Sequence, residues 1–164
     1  MSTSAKLIFF CGKMAAGKST LARELASRDN AVLLVQDEML NCLFPGEITD
    51  IPGYVKRSSR LNDALAPHIC ALLSKGISVV LDFPANTRAQ RAWFRGIIES
   101  ANVEHELHLI DASDSLCKSR LMSRSKHLPP GTPWTTEADF ETVTAYFQAP
   151  SDDEGFHVVR HECT

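Results

Sequence analysis

An α/β fold, with a parallel sheet covered by helices on both faces, is what this sequence predicts, and three observations predict it. Short apolar runs alternate with stretches of helical periodicity along the chain. The segment Gly12-Lys13-Met14-Ala15-Ala16-Gly17-Lys18-Ser19 joins the first apolar run to the first helical stretch, and it fits G-x-x-x-x-G-K-[ST] at every required position. The next apolar runs each finish at or beside an aspartate, namely Asp37, Asp82 and Asp111.

Each element follows from local pattern. Lys6 to Cys11 has the length and composition of a buried strand. Leu21, Ala22, Leu25 and Ala26 then recur at helical spacing, with Arg23, Glu24 and Arg28 opposite. After a turn at Asp29-Asn30, Ala31 to Val35 reads as a second buried strand ending at Gln36-Asp37-Glu38. Pro45-Gly46 and Ile51-Pro52-Gly53 punctuate an irregular segment. Tyr54 to Lys75 is helical by its Leu61, Leu65, Ile69, Leu72 and Leu73 stripe, with Gly76 as C-terminal cap; Pro67 should kink or divide it. Ile77 to Leu81 is a third strand ending at Asp82, because Pro84 forces the residue before it to be extended. Thr87 and Gln90 form a capping-box signature for a helix running to about Ser100. Val103 to Ile110 is a fourth strand ending at Asp111, and Ser113 caps a helix from Ser115 to about Lys126. Leu128 to Pro133 must be an exposed loop, Thr136 to Gln148 a last helix, and Phe156 to Arg160 a fifth strand.

The bulk numbers set bounds. A chain of 164 residues with 44% hydrophobic and 23% charged residues is expected to be a single soluble domain spanning 1–164, with a lid around 120–135. A net charge of −3 argues against a general nucleic-acid binder. No apolar run is long enough for a membrane span, and the start lacks a signal-peptide hydrophobic region. The five scattered cysteines, without C-x-x-C spacing, suggest free thiols in a reducing cytoplasm. His105 and His108 read as surface or packing residues, and Trp93 and Phe94 as helix packing, whereas Trp134 in the proline-rich loop does not read as core.

The glycine loop carries the chemistry. Gly12 and Gly17 let the backbone turn tightly and approach a phosphate, while N–H groups of the loop and the first helical turn, through Thr20, point at the anion. Lys18 would reach the β- and γ-phosphates and the Ser19 hydroxyl would complete the coordination of Mg²⁺. A nucleoside triphosphate is therefore the expected ligand.

In parallel sheets ligands sit at the carboxyl ends of the strands, which puts Asp37, Asp82 and Asp111 at the rim of that loop. Asp37 is the candidate base for an attacking hydroxyl, although it also fits as a helix N-cap. Asp82 either serves Mg²⁺ or binds a substrate hydroxyl. Asp111 is the weakest of the acids and fits as a cap with Ser113. Arg120 and Arg124 share one helix face leading into the proline-rich loop, as a lid closing on a triphosphate would require. Arg88 and Arg91, opening the helix after Asp82, are candidates to meet the acceptor.

Taken together, Gly12 to Ser19, Asp37, the run Asp82-Phe83-Pro84-Ala85-Asn86-Thr87 with Arg88 and Arg91, the pair Arg120 and Arg124, and the closing run Pro150 to Phe156 resemble a known group. It is that of small bacterial P-loop kinases of the adenylate-kinase-like fold, of the zeta-toxin, chloramphenicol-phosphotransferase and polynucleotide-kinase type. The resemblance covers almost the whole chain. It implies a three-layer P-loop NTPase fold with a five-stranded parallel sheet in the order 2-3-1-4-5, ATP as donor and Mg²⁺ as cofactor. By the same resemblance Asp37 would activate an acceptor hydroxyl, Arg120 would stack on adenine, and Arg124 would contact the phosphates.

The segment between Asp37 and Tyr54 is short beside that of nucleoside-monophosphate kinases, which favours a small hydroxylated acceptor. The expected activity is thus transfer of the γ-phosphate of ATP to a hydroxyl of a small molecule, by a monomer or homodimer, with catalysis assigned to Asp37, Lys18 and Arg124. Two other readings are a regulatory ATPase acting on a protein partner and a 5′-hydroxyl polynucleotide kinase. The latter is weakened by the net charge.

Overall fold

In the computed structural model, which describes residues 4–163, five strands form one sheet: Lys6–Cys11 (β1), Val32–Val35 (β2), Val79–Pro84 (β3), Glu104–Ala112 (β4) and Val158–Cys163 (β5). Their order is β2-β3-β1-β4-β5 and every pairing is parallel. This is the P-loop NTPase topology expected for the sheet. The central strand β1 is buried on both faces from Leu7 to Cys11, which is why it reads as an unbroken apolar run rather than an alternation.

The connecting helices are Lys18–Arg28 (α1), Gln36–Leu43 (α2), Ile51–Ser74 (α3), Arg88–Ala101 (α4), Asp114–Ser125 (α5) and Glu137–Thr144 (α6). Alternate residues of β1 and β3 feed opposite layers. Leu7, Phe9, Val79, Leu81 and Phe83 pack with Ile69 and Leu73 of α3 and with Phe94 and Ile97 of α4. Ile8, Phe10 and Val80 pack with Ala22, Leu25 and Ala26 of α1. Beside that second layer, Ile110 and Ala112 of β4 meet Cys117 and Leu121 of α5 and Phe140 of α6. Phe9 stacks on Phe94 with ring centroids 4.4 Å apart. No helix among the described residues is long and apolar enough to cross a membrane.

Several boundaries differ from sequence expectation. The segment after β2 contains α2, whose N-cap is Val35 with no side-chain cap bond, so the usual sequence signal for a helix start is missing. Asp37 is therefore inside the first turn of α2 and not its N-cap. The irregular reading of Ile51-Pro52-Gly53 is replaced by the first turn of α3, where the N-cap Asp50 accepts from Gly53 N at 2.8 Å. Proline is tolerated there because first-turn N–H groups have no intrahelical partner. Pro67 does not divide α3, which runs unbroken past it with the proline on an exposed position. β3 continues through Asp82 to Pro84, and a register shift between Phe9 and Phe10 accommodates the proline. The last helix stops at Thr144 because the chain beyond it turns back to bond Asn86, where Gln148 N donates to the Asn86 carbonyl. β5 starts at Val158, two residues later than expected, and runs to Cys163.

His108, read as a surface or packing residue, is a packing residue of the core, at 4% exposure. Its Nδ1 meets His161 Nε2 of β5 at 2.8 Å and its Nε2 meets Glu106 Oε2 at 2.9 Å. Glu106 in turn binds Lys6 of β1, which lies 3.6 Å from Asp29 at the end of α1, where Arg28 also pairs. Burial holds the His108 imidazole below the ordinary histidine pKa, against the opposing pull of Glu106, with His161 and Arg28 adding to the depression. Burial depresses His105 as well. In the unfolded chain these rings take up protons at a higher pH than in the native one, so native stability is complete above about 6.5 and is lost as pH falls below it. Glu106, held below its usual range, adds a further loss at more acid pH. Thermal unfolding followed from pH 7.5 to 5 should show a falling midpoint, with the fall reduced in His108→Gln; a midpoint that rises on acidification would contradict this account.

Candidate active site

The phosphate loop follows β1 directly. Gly12 is packed so closely that a Cβ there would lie 3.2 Å from the Ile110 carbonyl oxygen. Gly17 adopts φ +111°, a left-handed conformation suited to glycine, and serves as N-cap of α1 without a side-chain bond. The first-turn N–H groups of α1 are thus left to face the loop's concavity, together with the positive end of the helix dipole. Ala15 stands at φ +62°, a strained position for a residue with a Cβ. Ala16 N donates to Lys13 O at 3.1 Å, closing the loop on itself.

Lys18 Nζ donates to the carbonyl of Gly12 and, at 3.0 Å, to that of Lys13. One of its three N–H donors remains for a ligand. Burial pulls its pKa down, opposed by Cys11, Asp82 and Asp37 around it. Beneath the loop, burial pushes the Cys11 thiol up to about 11, so this cysteine is a packing residue and not a nucleophile. Ser19 Oγ donates to Asp82 Oδ2 at 2.7 Å, which unites the loop hydroxyl with the acid of β3.

The register of β2 on β3 pairs Val35 with Asp82 and so sets the first turn of α2, with Asp37, beside that acid. Asp37 opens to solvent at the rim, yet enough of the cleft surrounds its carboxyl to raise its pKa by desolvation, and Asp82 raises it further. Lys18 and Arg124 oppose that rise, so both cations stand within electrostatic reach of Asp37. Asp111 lies apart: it is within β4, 3.3 Å from Arg160 of β5, and lines a cleft of about 120 Å³ with Lys13 and Phe147.

Of the arginines, Arg120 Nη1 donates to Ala16 O at 2.9 Å and so braces the phosphate loop. Arg124 is exposed in the last turn of α5, one turn further toward the loop at 128–133. Arg88 and Arg91, expected to meet the acceptor, are engaged elsewhere. Arg88 Nη2 bonds Asp153 at 2.6 Å, which holds that carboxyl down at about 2. Arg91 is fully buried; its Nε meets Glu154 at 2.7 Å and its Nη1 donates to the carbonyls of Ala85 and Gln148. Breaking such a buried pair costs about 3–5 kcal/mol, which makes Arg91 a structural residue with no donor turned to a ligand. Lys13 pairs with Asp114 at 2.6 Å, Met14 and Ala15 pack toward α5, and Thr20 is exposed on α1.

Two sets of contacts leave no local signal in the sequence, although Asn86 lies in the run Asp82 to Thr87 that carries the resemblance. Asn86 accepts from Gly12 N at 2.9 Å, a contact with no periodic signal because the partners are 74 residues apart. Gln36, buried at 2% exposure, donates to Asn62 at 3.0 Å and accepts from Tyr54 Oη at 2.6 Å, tying α2 to α3 next to Asp37. Burial and the nearby Asp37 push the Tyr54 phenol well up, so it stays a neutral donor.

Among the described residues no group of three or more His, Cys, Asp or Glu side chains could hold a metal alone. Ser19 and Asp82 nevertheless supply hard oxygen donors at the phosphate loop, the donor type Mg²⁺ takes when phosphates and water complete its shell. The residues present fit that cation.

A family profile described as AAA domain matches residues 7–150. No curated protein matches the sequence. Among solved structures, a candidate kinase from Chloroflexus aurantiacus j-10-fl superposes with TM-score 0.75 at 20% identity, covering 98% of this chain and 89% of that one. A sugar kinase from Janibacter sp. superposes with TM-score 0.67 at 16% identity, over 96% and 85% of the two chains. The APS kinase of Mycobacterium tuberculosis, in complex with AMPPNP and APS, gives TM-score 0.65 at 16% identity over 97% and 88%. At these identities the likeness is one of fold.

Proposed function

The chain belongs to the AAA domain family, and from that premise we propose that it transfers the γ-phosphate of ATP to a hydroxyl group of a small molecule. The observation that carries the reading is the second carboxylate. Asp82 is bonded to Ser19, whereas Asp37 has no protein partner of its own among the described residues and stands beside Lys18. A transferase needs such an acid to accept the proton of the attacking hydroxyl. The names of the structural neighbours, a sugar kinase and an APS kinase, support a small hydroxylated acceptor.

Each residue then has a role. The loop from Gly12 to Thr20 presents backbone N–H groups to the phosphates, and Lys18 adds its remaining donor. Ser19 and Asp82 hold Mg²⁺, which when bound neutralises phosphate charge. Asp37 takes the hydroxyl proton as the acceptor oxygen bonds to the γ-phosphorus and the bond to the departing ADP breaks. Arg120 secures the loop and Arg124 brings positive charge over it from α5, with the 120–135 region as lid. Because only the deprotonated form accepts the proton, the raised pKa of Asp37 moves the acid limb of the rate upward from where an ordinary aspartate would set it.

The test is incubation with ATP, Mg²⁺ and a panel of sugars, sugar acids, nucleosides and hydroxylated antibiotics, read by mass spectrometry. A product heavier by one phosphoryl group is expected from one class. ADP release with no acceptor modified would replace this reading with a regulatory ATPase, and phosphorylation confined to oligonucleotide ends with a polynucleotide kinase.

A further inference from the structure

We propose that Asn86 is a positioning residue for nucleotide binding, acting through the first residue of the phosphate loop. The inference rests on the reading of Gly12 to Ser19 as a phosphate cradle. Gly12 is held from two sides: its N–H donates to Asn86 Oδ1 at 2.9 Å, and its carbonyl accepts from Lys18 Nζ. Anything that lets Gly12 turn therefore also moves the anchor of Lys18. The amide orientation of Asn86 is settled by this contact, since an N–H requires an oxygen opposite it.

Asn86 itself has no freedom to drift. Its N–H donates to Gln90 Oε1 at 2.8 Å, and its carbonyl accepts from Gln148 N at 2.8 Å. Gln148 belongs to a strap between α6 and β5 that is pinned to α4: its Oε1 accepts from Arg88 N at 3.0 Å and its carbonyl from the buried Arg91 at 2.8 Å. Arg91 is locked in turn by Glu154, which also accepts from Ser151 N at 2.9 Å. The polar network around Arg91, which offers nothing to an acceptor, thus ends on the phosphate loop. A residue bonded at its backbone donor, backbone acceptor and side-chain oxygen is a rigid stop against which Gly12 is set.

The experiment measures two quantities on Asn86→Ala and Asn86→Asp: the exchange rate of the Gly12 amide proton by NMR, and the affinity for AMPPNP with Mg²⁺, which needs no acceptor. In Asn86→Ala the Gly12 amide should exchange at least about tenfold faster and AMPPNP binding should weaken about tenfold, the equivalent of one hydrogen bond to the loop. Asn86→Asp keeps an oxygen for the Gly12 N–H, so amide protection should return, while the added negative charge keeps AMPPNP affinity low. A merely structural asparagine would move both readouts with the unfolding midpoint and would not be rescued at Gly12 alone. Parent-like Gly12 exchange in Asn86→Ala, or lost protection in Asn86→Asp, overturns the proposal. If the parent protein itself fails to bind AMPPNP, the cradle reading falls, and with it a role for Asn86 in nucleotide binding.

Discussion

Replacing Lys18 with alanine is expected to remove phosphoryl transfer by a factor of about 10²–10³ or more and to weaken AMPPNP binding sharply. Lys18 does two jobs at once. It bonds the carbonyls of Gly12 and Lys13 from inside the loop, and it is the cation at the centre of the cradle, with Asp37 and Asp82 close enough to shift its proton affinity. Alanine leaves those carbonyls unpaired and leaves both acids facing an incoming triphosphate without compensation. Calorimetric titration with AMPPNP, together with transfer assays, separates the consequences. Binding at the parent affinity would mean the nucleotide does not sit in this loop.

Asp37→Asn is expected to behave differently, keeping AMPPNP affinity within about twofold while transfer falls by about 10²–10⁴, the usual worth of a positioned base. The amide is nearly isosteric and Asp37 is open to solvent in the first turn of α2, so folding should be little affected. The parent rate should rise with pH through the raised pKa of Asp37, and that acid limb should disappear from the residual activity of the variant. Transfer at the parent rate would remove Asp37 from the chemistry. An unaltered acid limb would assign the titration to another group.

How far the site was legible before folding differs residue by residue. The phosphate loop announces itself because its spacing is dictated by a local task, wrapping one phosphate with consecutive N–H groups, and local tasks leave local patterns. Asp82 follows for a similar reason, as a polar residue terminating an apolar run in a sheet whose ligands gather at strand ends. The arginines show the opposite case. Arg88 and Arg91 have the right charge at the start of the right helix, but the strap at 148–154 brings Asp153 and Glu154 onto them. No periodicity connects α4 to acids more than sixty residues away. The start of α2 was misplaced, with Asp37 read as its N-cap, because the true N-cap Val35 has no capping side chain, and β5 slipped because this edge strand is exposed on one face and only half-buried on the other.

The sequence by itself determined the layer architecture, the phosphate loop and the candidate acids Asp37 and Asp82, since strand burial and helix amphipathicity are written within a few residues. Only the tertiary structure decided which charges remain free at the cleft: Arg124 and Asp37 have no side-chain partner among the described residues, Arg91 is consumed by Glu154, and Asn86 is bound to Gly12. The physical reason is that a side chain's availability depends on whether a distant partner neutralises or hydrogen-bonds it, and such pairing is settled by packing across the sheet rather than by spacing along the chain.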